Sequence, residues 1–165
     1  NAEGSFDISE QVQSVNHDGT RNVVRACTQQ GVRRLVFPST TSVYGPVSGI
    51  AREECDRSEL CPQSPYATSK LAAEQEILAA SQRGDINGVV LRLGTIFGPS
   101  PGMRFHTAVN KFCWQAVTGQ PLTVWKTAMD QKRPYLGVND AVMAINFIIE
   151  NDLFDGEIVF VSPHH

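Results

Sequence analysis

Apolar or small side chains stand at positions 12, 15, 19, 23 and 27 of the segment 10–30, EQVQSVNHDGTRNVVRACTQQ. That spacing predicts a helix, and Gly31 is a fitting stop. Leu35-Val36-Phe37 then reads as a short buried strand at 34–38. Residues 46–63 are polar, irregular and carry two prolines, which predicts a surface loop. Helical signals return at Ser64, an N-cap residue followed by Pro65, whose missing N–H suits the first helical position. Residues 65–83 are rich in helix formers and Gly84 ends them. GVVLRLG at 88–94 predicts a second buried strand.

Helix, strand, helix, strand with short connections is the grammar of a parallel sheet covered by helices. The last third is more mixed. It predicts a helix near 104–118 ending at Gly119 and a strand at LTVW, 122–125. After RPYLGV come a helix at 140–150, capped by Asn139 or Asp140, and a final strand EIVFV. No internal repeat or low-complexity segment interrupts this order.

Composition narrows the class. A chain of 165 residues with 41% hydrophobic content is globular, and a net charge of −3 argues against a nucleic-acid surface. No apolar run reaches the roughly 18 residues of a membrane span. The opening NAEGSFDISE lacks the basic and apolar regions of a signal peptide, so a cytoplasmic location is expected. Cys27, Cys55, Cys61 and Cys113 form no C-x-x-C and have no histidine at zinc-finger spacing. They are expected to be reduced, partly buried thiols, with no metal. His164 and His165 close the sequence and are given no function.

The candidate chemistry begins with SPYATSK, 64–70. Tyr66 and Lys70 are four apart and share one helix face. A free tyrosine has a pKa of about 10, and a cation within about 4–6 Å stabilises its phenolate. A tyrosine so tuned can accept or give a proton near neutrality. Alone the pair is weak, since an ordinary capped helix start gives the same pattern. Two strand ends change the picture. VFPSTTSVYG puts Ser39, Thr40, Thr41 and Ser42, and VVLRLGTIFGP puts Gly94, Thr95 and Ile96, at the carboxyl edge where open α/β sheets bind ligands. Read by themselves, these are also plain turns.

Five segments in order, VNHDGTRNVVRAC, VFPSTTSVYG, PQSPYATSK…E, LRLGTIFGP and RPYLGVNDAVMAI, resemble the NAD-dependent epimerase/dehydratases of the extended short-chain dehydrogenase/reductase family. The resemblance runs from about residue 12 to 162. It implies an α/β fold. Residues 1–100 would be the second half of a Rossmann-like, doubly wound parallel sheet lacking its N-terminal strands, and 101–165 part of a small substrate-binding region.

By the same resemblance, Tyr66 is the catalytic acid/base and Lys70 lowers its pKa and holds the nicotinamide ribose. Thr40 bonds the substrate hydroxyl and Asn16 supports the active-site backbone. The cofactor, NAD or NADP, would lie along Pro38, Ser39, Tyr66, Lys70, Leu93, Gly94 and Ile96. Thr95, Arg104 and Arg133 would meet the substrate, Arg133 engaging its diphosphate through two bonds. A homodimer through helices 10–30 and 65–83 is implied as well.

Departures from the family pattern shape the reading. Pro134 and Gly137 replace an Asp and a His, and Thr95 replaces an Asn, all on the substrate side. Thr41-Ser42 stand where 4,6-dehydratases carry Asp-Glu, which argues against water elimination and leaves an epimerase or simple oxidoreductase. No G-x-x-G-x-x-G occurs, so the pyrophosphate cradle is missing. On the order of two to three βαβ units are expected to precede this segment in the full-length enzyme. The segment alone is expected to bind NAD poorly and to be inactive. A family member acting on a non-sugar alcohol or ketone, and a silent family-fold binding protein, are the rival readings.

Overall fold

The computed structural model describes residues 7–46, 51–124, 126 and 132–162. Three parallel strands form the main sheet in the order β1-β2-β5: β1 is Arg34–Thr40, β2 Asn87–Leu93 and β5 Ile158–Val161. Two short strands, β3 (Thr95–Phe97) and β4 (Tyr135–Gly137), pair in parallel beside it. The strands expected at 34–38 and 88–92 are neighbours, from Arg34 opposite Asn87 to Thr40 opposite Leu93.

Helices cover both faces. The helix expected over 10–30 is present in three parts: α1 (Ser9–Gln13), a π-helical turn at Ser14–Asp18, and α2 (Gly19–Gln30), which stops at left-handed Gly31. A π turn inserts one residue into the ladder and often marks a functional position; this one contains Asn16. Helix α3 is Pro65–Gln82. Val24 of α2 and Ile77 and Ala80 of α3 bury against Val90, with Leu35 and Phe37 at the margin. On the opposite face Ile148 of α5 (Val138–Glu150) packs on Val89 and Leu91. Each fully buried Ile, Val or Leu contributes about 1.5–3 kcal/mol, so this sandwich holds β1 and β2 rigid up to their carboxyl ends.

Three expectations are corrected in the last third. Residues 122–124 form no strand; Leu122 and Val124 are exposed, and Thr123 is tied to the preceding helix by Gln115 and Lys111. Those side chains supply the partners a strand would have needed from a neighbour. Trp125 lies outside the described residues, as do His164 and His165. Helix α4 is Ala108–Val117, shorter than 104–118, with Thr107 at its cap. The cap of α5 is Gly137, where the chain leaves β4 directly, and not Asn139 or Asp140. The four cysteines are free, but Cys61 and Cys113 are exposed; only Cys27 and Cys55 are partly buried, as expected.

Candidate functional site

The carboxyl edge of β1 and β2 is polar where the rest of the sheet is not. Along the face turned to α3, β1 presents Leu35, Phe37 and then Ser39, and β2 presents Val90 and then Arg92. The strand period of two puts these residues on one side, and the change from apolar to polar falls where β1 runs into the 3-10 turn Thr41–Val43.

Helix α3 starts against that turn. Ser64 caps it by accepting from Ala67 N at 3.2 Å, with Pro65 at the first position. Gly45 holds the approach: its φ is +67°, and a Cβ there would lie 1.9 Å from the Cys61 carbonyl oxygen. Only glycine allows this contact. It brings the stretch leading to Ser64 alongside the end of β1, where Cys61 N donates to Tyr44 O at 3.3 Å.

Tyr66 is half-buried, and its hydroxyl is hydrogen-bonded to the Thr40 side chain. Thr40 Oγ1 also accepts from Ser42 N at 3.2 Å and bonds Ser42 Oγ at 3.1 Å. Burial pushes the Tyr66 hydroxyl above its ordinary pKa, while the Thr40 bond and the Arg104 charge pull the other way. Lys70 donates to Pro38 O at 2.7 Å, with its ammonium 4.5 Å from the Phe37 ring centre. Burial lowers the Lys70 pKa and the Glu74 carboxylate opposes that.

Asn16 Nδ2 donates to Ser69 Oγ at 3.0 Å, and Ser69, fully buried, donates to Tyr66 O at 2.9 Å. The π turn thus reaches the first turn of α3 through one relay. Ser39 is 5% exposed and its hydroxyl donates to Glu74. Its side chain points into the protein, so a cofactor along this edge would meet Ser39 through its backbone. Pro38 is exposed and Leu93 half-buried.

On the other side of the edge, Gly94 lets two segments touch: a Cβ there would meet Pro134 O at 3.0 Å, and Thr95 N donates to that same oxygen at 2.8 Å. Arg133, which immediately precedes Pro134 in the chain, is exposed. Ile96 and Arg104 line a pocket of about 170 Å³ together with Phe97, Met103, Asn110 and Val138. Asn110 shapes its wall, accepting from Gly98 N and donating to Arg104 O.

The groups that the sequence did not single out lie beneath the edge. Glu74 and Arg92 form an ion pair, Nη2 to Oε2 at 2.8 Å, with side chains 1% and 2% exposed. Arg92 also stacks over Tyr44 at 4.8 Å. Burial works against the Arg92 charge, but Glu74 and Tyr44 hold it firmly protonated. Two signals were available: an arginine inside the apolar run VVLRL, and a glutamate four residues past Lys70 on the same helix face.

The known proteins that this chain resembles agree with the architecture. The profile of the NAD dependent epimerase/dehydratase family matches residues 2–161. An uncharacterised UDP-glucose epimerase, YtcB, of Bacillus subtilis (strain 168) is 31% identical over 149 residues, which is 89% of this chain and 45% of that one. A 2-alkyl-3-oxoalkanoate reductase of Stenotrophomonas maltophilia (strain K279a) is 40% identical over 100 residues, 58% of this chain and 29% of that one. The crystal structure of UDP-glucuronic acid 4-epimerase from Bacillus cereus, in complex with UDP-glucuronic acid and NAD, superposes with a TM-score of 0.80 at 25% identity, over 92% of this chain and 47% of that one. The chain spans less than half the length of these relatives. Its parallel α/β sandwich, its Thr40–Tyr66 edge and the profile match over nearly its whole length lead to one conclusion: the chain belongs to the NAD-dependent epimerase/dehydratase family.

Proposed function

We propose that the full-length protein is an NAD(P)-dependent nucleotide-sugar epimerase or related oxidoreductase, and that Thr40, Tyr66 and Lys70 are its working groups. The observation that carries this reading is the hydrogen bond between Tyr66 and Thr40 at the carboxyl edge of β1. A substrate hydroxyl entering there can replace one partner of that bond and bridge both oxygens. Tyr66 then takes or returns the hydroxyl proton while Thr40 holds the oxygen in place. Burial keeps the free phenol protonated; Arg104 and Thr40 favour its ionised form as the proton leaves.

The donor set fits the nicotinamide half of the cofactor. The Lys70 ammonium, the Tyr66 hydroxyl and the backbone at Pro38, Ser39 and 93–96 suit ribose hydroxyls and a carboxamide. NAD, when bound, supplies a hydride acceptor at the substrate carbon. The sequence has no glycine-rich pyrophosphate cradle.

Arg104 and Arg133 on the substrate side, with 101–165 as part of a substrate region, favour a phosphate-bearing substrate. The 31% likeness to a UDP-glucose epimerase points the same way. A second reading, reduction of a non-sugar ketone, is favoured by the apolar share of the pocket, Ile96, Phe97, Met103 and Val138, and by the likeness to an oxoalkanoate reductase. Thermal shift of the full-length protein with UDP, GDP and dTDP separates them. Stabilisation by one of the three is expected; no shift with any, together with turnover of a 3-oxo acid, would replace the first reading with the second.

The helix pair 10–30 and 65–83 is the proposed dimer surface. Val15 and Val23, 65% and 50% exposed, are its apolar positions on the first helix. A monomeric mass for the full-length protein in light scattering would remove this part of the proposal.

A further inference from the structure

Tyr66, Lys70 and Glu74 stand at successive four-residue steps on one face of α3, and they grip three consecutive residues of β1. Tyr66 bonds Thr40, Lys70 bonds Pro38 O, and Glu74 accepts from Ser39. Glu74 is the deepest of the three, and it reaches the next strand as well. Arg92 Nε approaches both carboxylate oxygens at 3.2 and 3.3 Å, and Nη2 bonds Oε2 at 2.8 Å. Ser39 and Arg92 are register partners on β1 and β2. One carboxylate therefore pins two strand ends to the helix that carries Tyr66 and Lys70.

We infer that Glu74, locked by Arg92, is a positioning residue: through Ser39 it fixes the tip of β1 so that Thr40 and the Pro38 carbonyl meet Tyr66 and Lys70. This rests on the reading of Thr40, Tyr66 and Lys70 as the working groups. A fully buried ion pair is a poor source of stability, because desolvation offsets the attraction, and well-packed apolar residues often serve as well or better. What apolar residues lack is the directed bond to Ser39. The pair also stands at the point where the β1 and β2 face turns from apolar to polar, one step beyond Val90 of the apolar cluster and directly under the edge. Geometry at the reacting groups is where such a device matters, since small misplacements slow a reaction far more than they weaken a fold.

The test uses the full-length protein and two variants. Ser39→Ala removes the bond to β1 and leaves the ion pair. The double variant Glu74→Leu/Arg92→Met replaces the pair with apolar side chains and strands no buried charge. Two readouts are taken. The first is the split between kcat and KM with UDP-glucose as the probe. The second, which needs no activity, is the rate at which an amine-acetylating reagent modifies Lys70 in the cofactor-free protein, by mass spectrometry, against Lys111 and Lys132 as internal references. The expected result in each folded variant is a kcat lower by about 10-fold with KM within about 2-fold, and Lys70 acetylation faster by about 5-fold or more as its anchor on Pro38 loosens. Either readout staying at the parental value overturns the inference. If the double variant does not fold, Ser39→Ala decides. If the parent turns over no UDP-glucose, the proposed function is what fails, and the Lys70 labelling alone decides whether Glu74 holds the edge.

Discussion

Ser39 and Arg92 lie opposite each other on adjacent parallel strands, and both end on the carboxylate of Glu74. Their shared register makes this possible: a one-residue slip of β1 against β2 would turn one of the two to the other face of the sheet. The bond pattern thus ties strand register to the place where Thr40 meets Tyr66.

Tyr66→Phe keeps the ring and removes the proton carrier. In the full-length protein kcat should fall by about 10²–10⁴-fold, with a denaturation midpoint close to the parent's. Near-normal turnover, measured with the same substrate and saturating NAD, would take Tyr66 out of the chemistry and leave SPYATSK as a capped helix start.

Arg133→Ala tests the substrate side. Loss of one charge-assisted contact is worth about 1.5–3 kcal/mol, so KM for a nucleotide sugar should rise by about 10–100-fold while kcat changes little. Steady-state kinetics with an unchanged KM would remove Arg133 from the site.

Alkaline pH should loosen the fold at Tyr66 and Tyr44. Burial raises both hydroxyl pKa values above their ordinary value, with Thr40 and Arg104 opposing at Tyr66 and Arg92 opposing at Tyr44. The native state then holds protons that the unfolded chain has released. Their contribution is fully present below the unfolded pKa of about 10 and is lost as pH rises through the folded values. Urea midpoints taken across that range should drop for the parent and drop less for Tyr44→Phe and Tyr66→Phe. Equal slopes in all three would show that neither phenol is linked to folding.

Gly45→Ala should be costly. Its positive φ and the 1.9 Å approach of a Cβ to a backbone oxygen leave nowhere for the methyl to go. A left-handed non-glycine residue alone costs about 1–3 kcal/mol, and the clash with Cys61 adds to it. Chemical denaturation should place the loss at the upper end of that range or beyond. A loss under about 0.5 kcal/mol, the size of an ordinary surface substitution, would mean the 44–61 contact is not a fixed tether.

Periodicity carried the sandwich. The spacing over 10–30, the apolar runs at 34–38 and 88–94 and the capped start at Ser64 all express local rules, and each became the expected element. The π turn at Ser14–Asp18 was not legible from the spacing 12, 15, 19, 23, 27; its extra residue turns the downstream face by about one position, so Val24 is buried where Val23 is exposed. LTVW reads as a strand by composition, yet residues 122–124 hang instead on Gln115 and Lys111, whose side chains take the backbone and hydroxyl of Thr123. At the site, the i, i+4 rule put Lys70 on the face of Tyr66, but not where its ammonium ends; a backbone carbonyl 32 positions earlier in the chain takes it. Glu74 and Arg92 were visible as residue types, and only the register of two strands distant in sequence makes them partners.

Among the described residues β1 is hydrogen-bonded to a strand on one side only. Its other flank is a row of backbone donors and acceptors along a half-apolar strand, and such a flank recruits whatever extended chain it meets. Produced by itself, this stretch of polypeptide should therefore behave as an adhesive surface. It should form concentration-dependent assemblies through edge-to-edge zipping, and a peptide strand supplied in excess to occupy that flank should keep it dispersed.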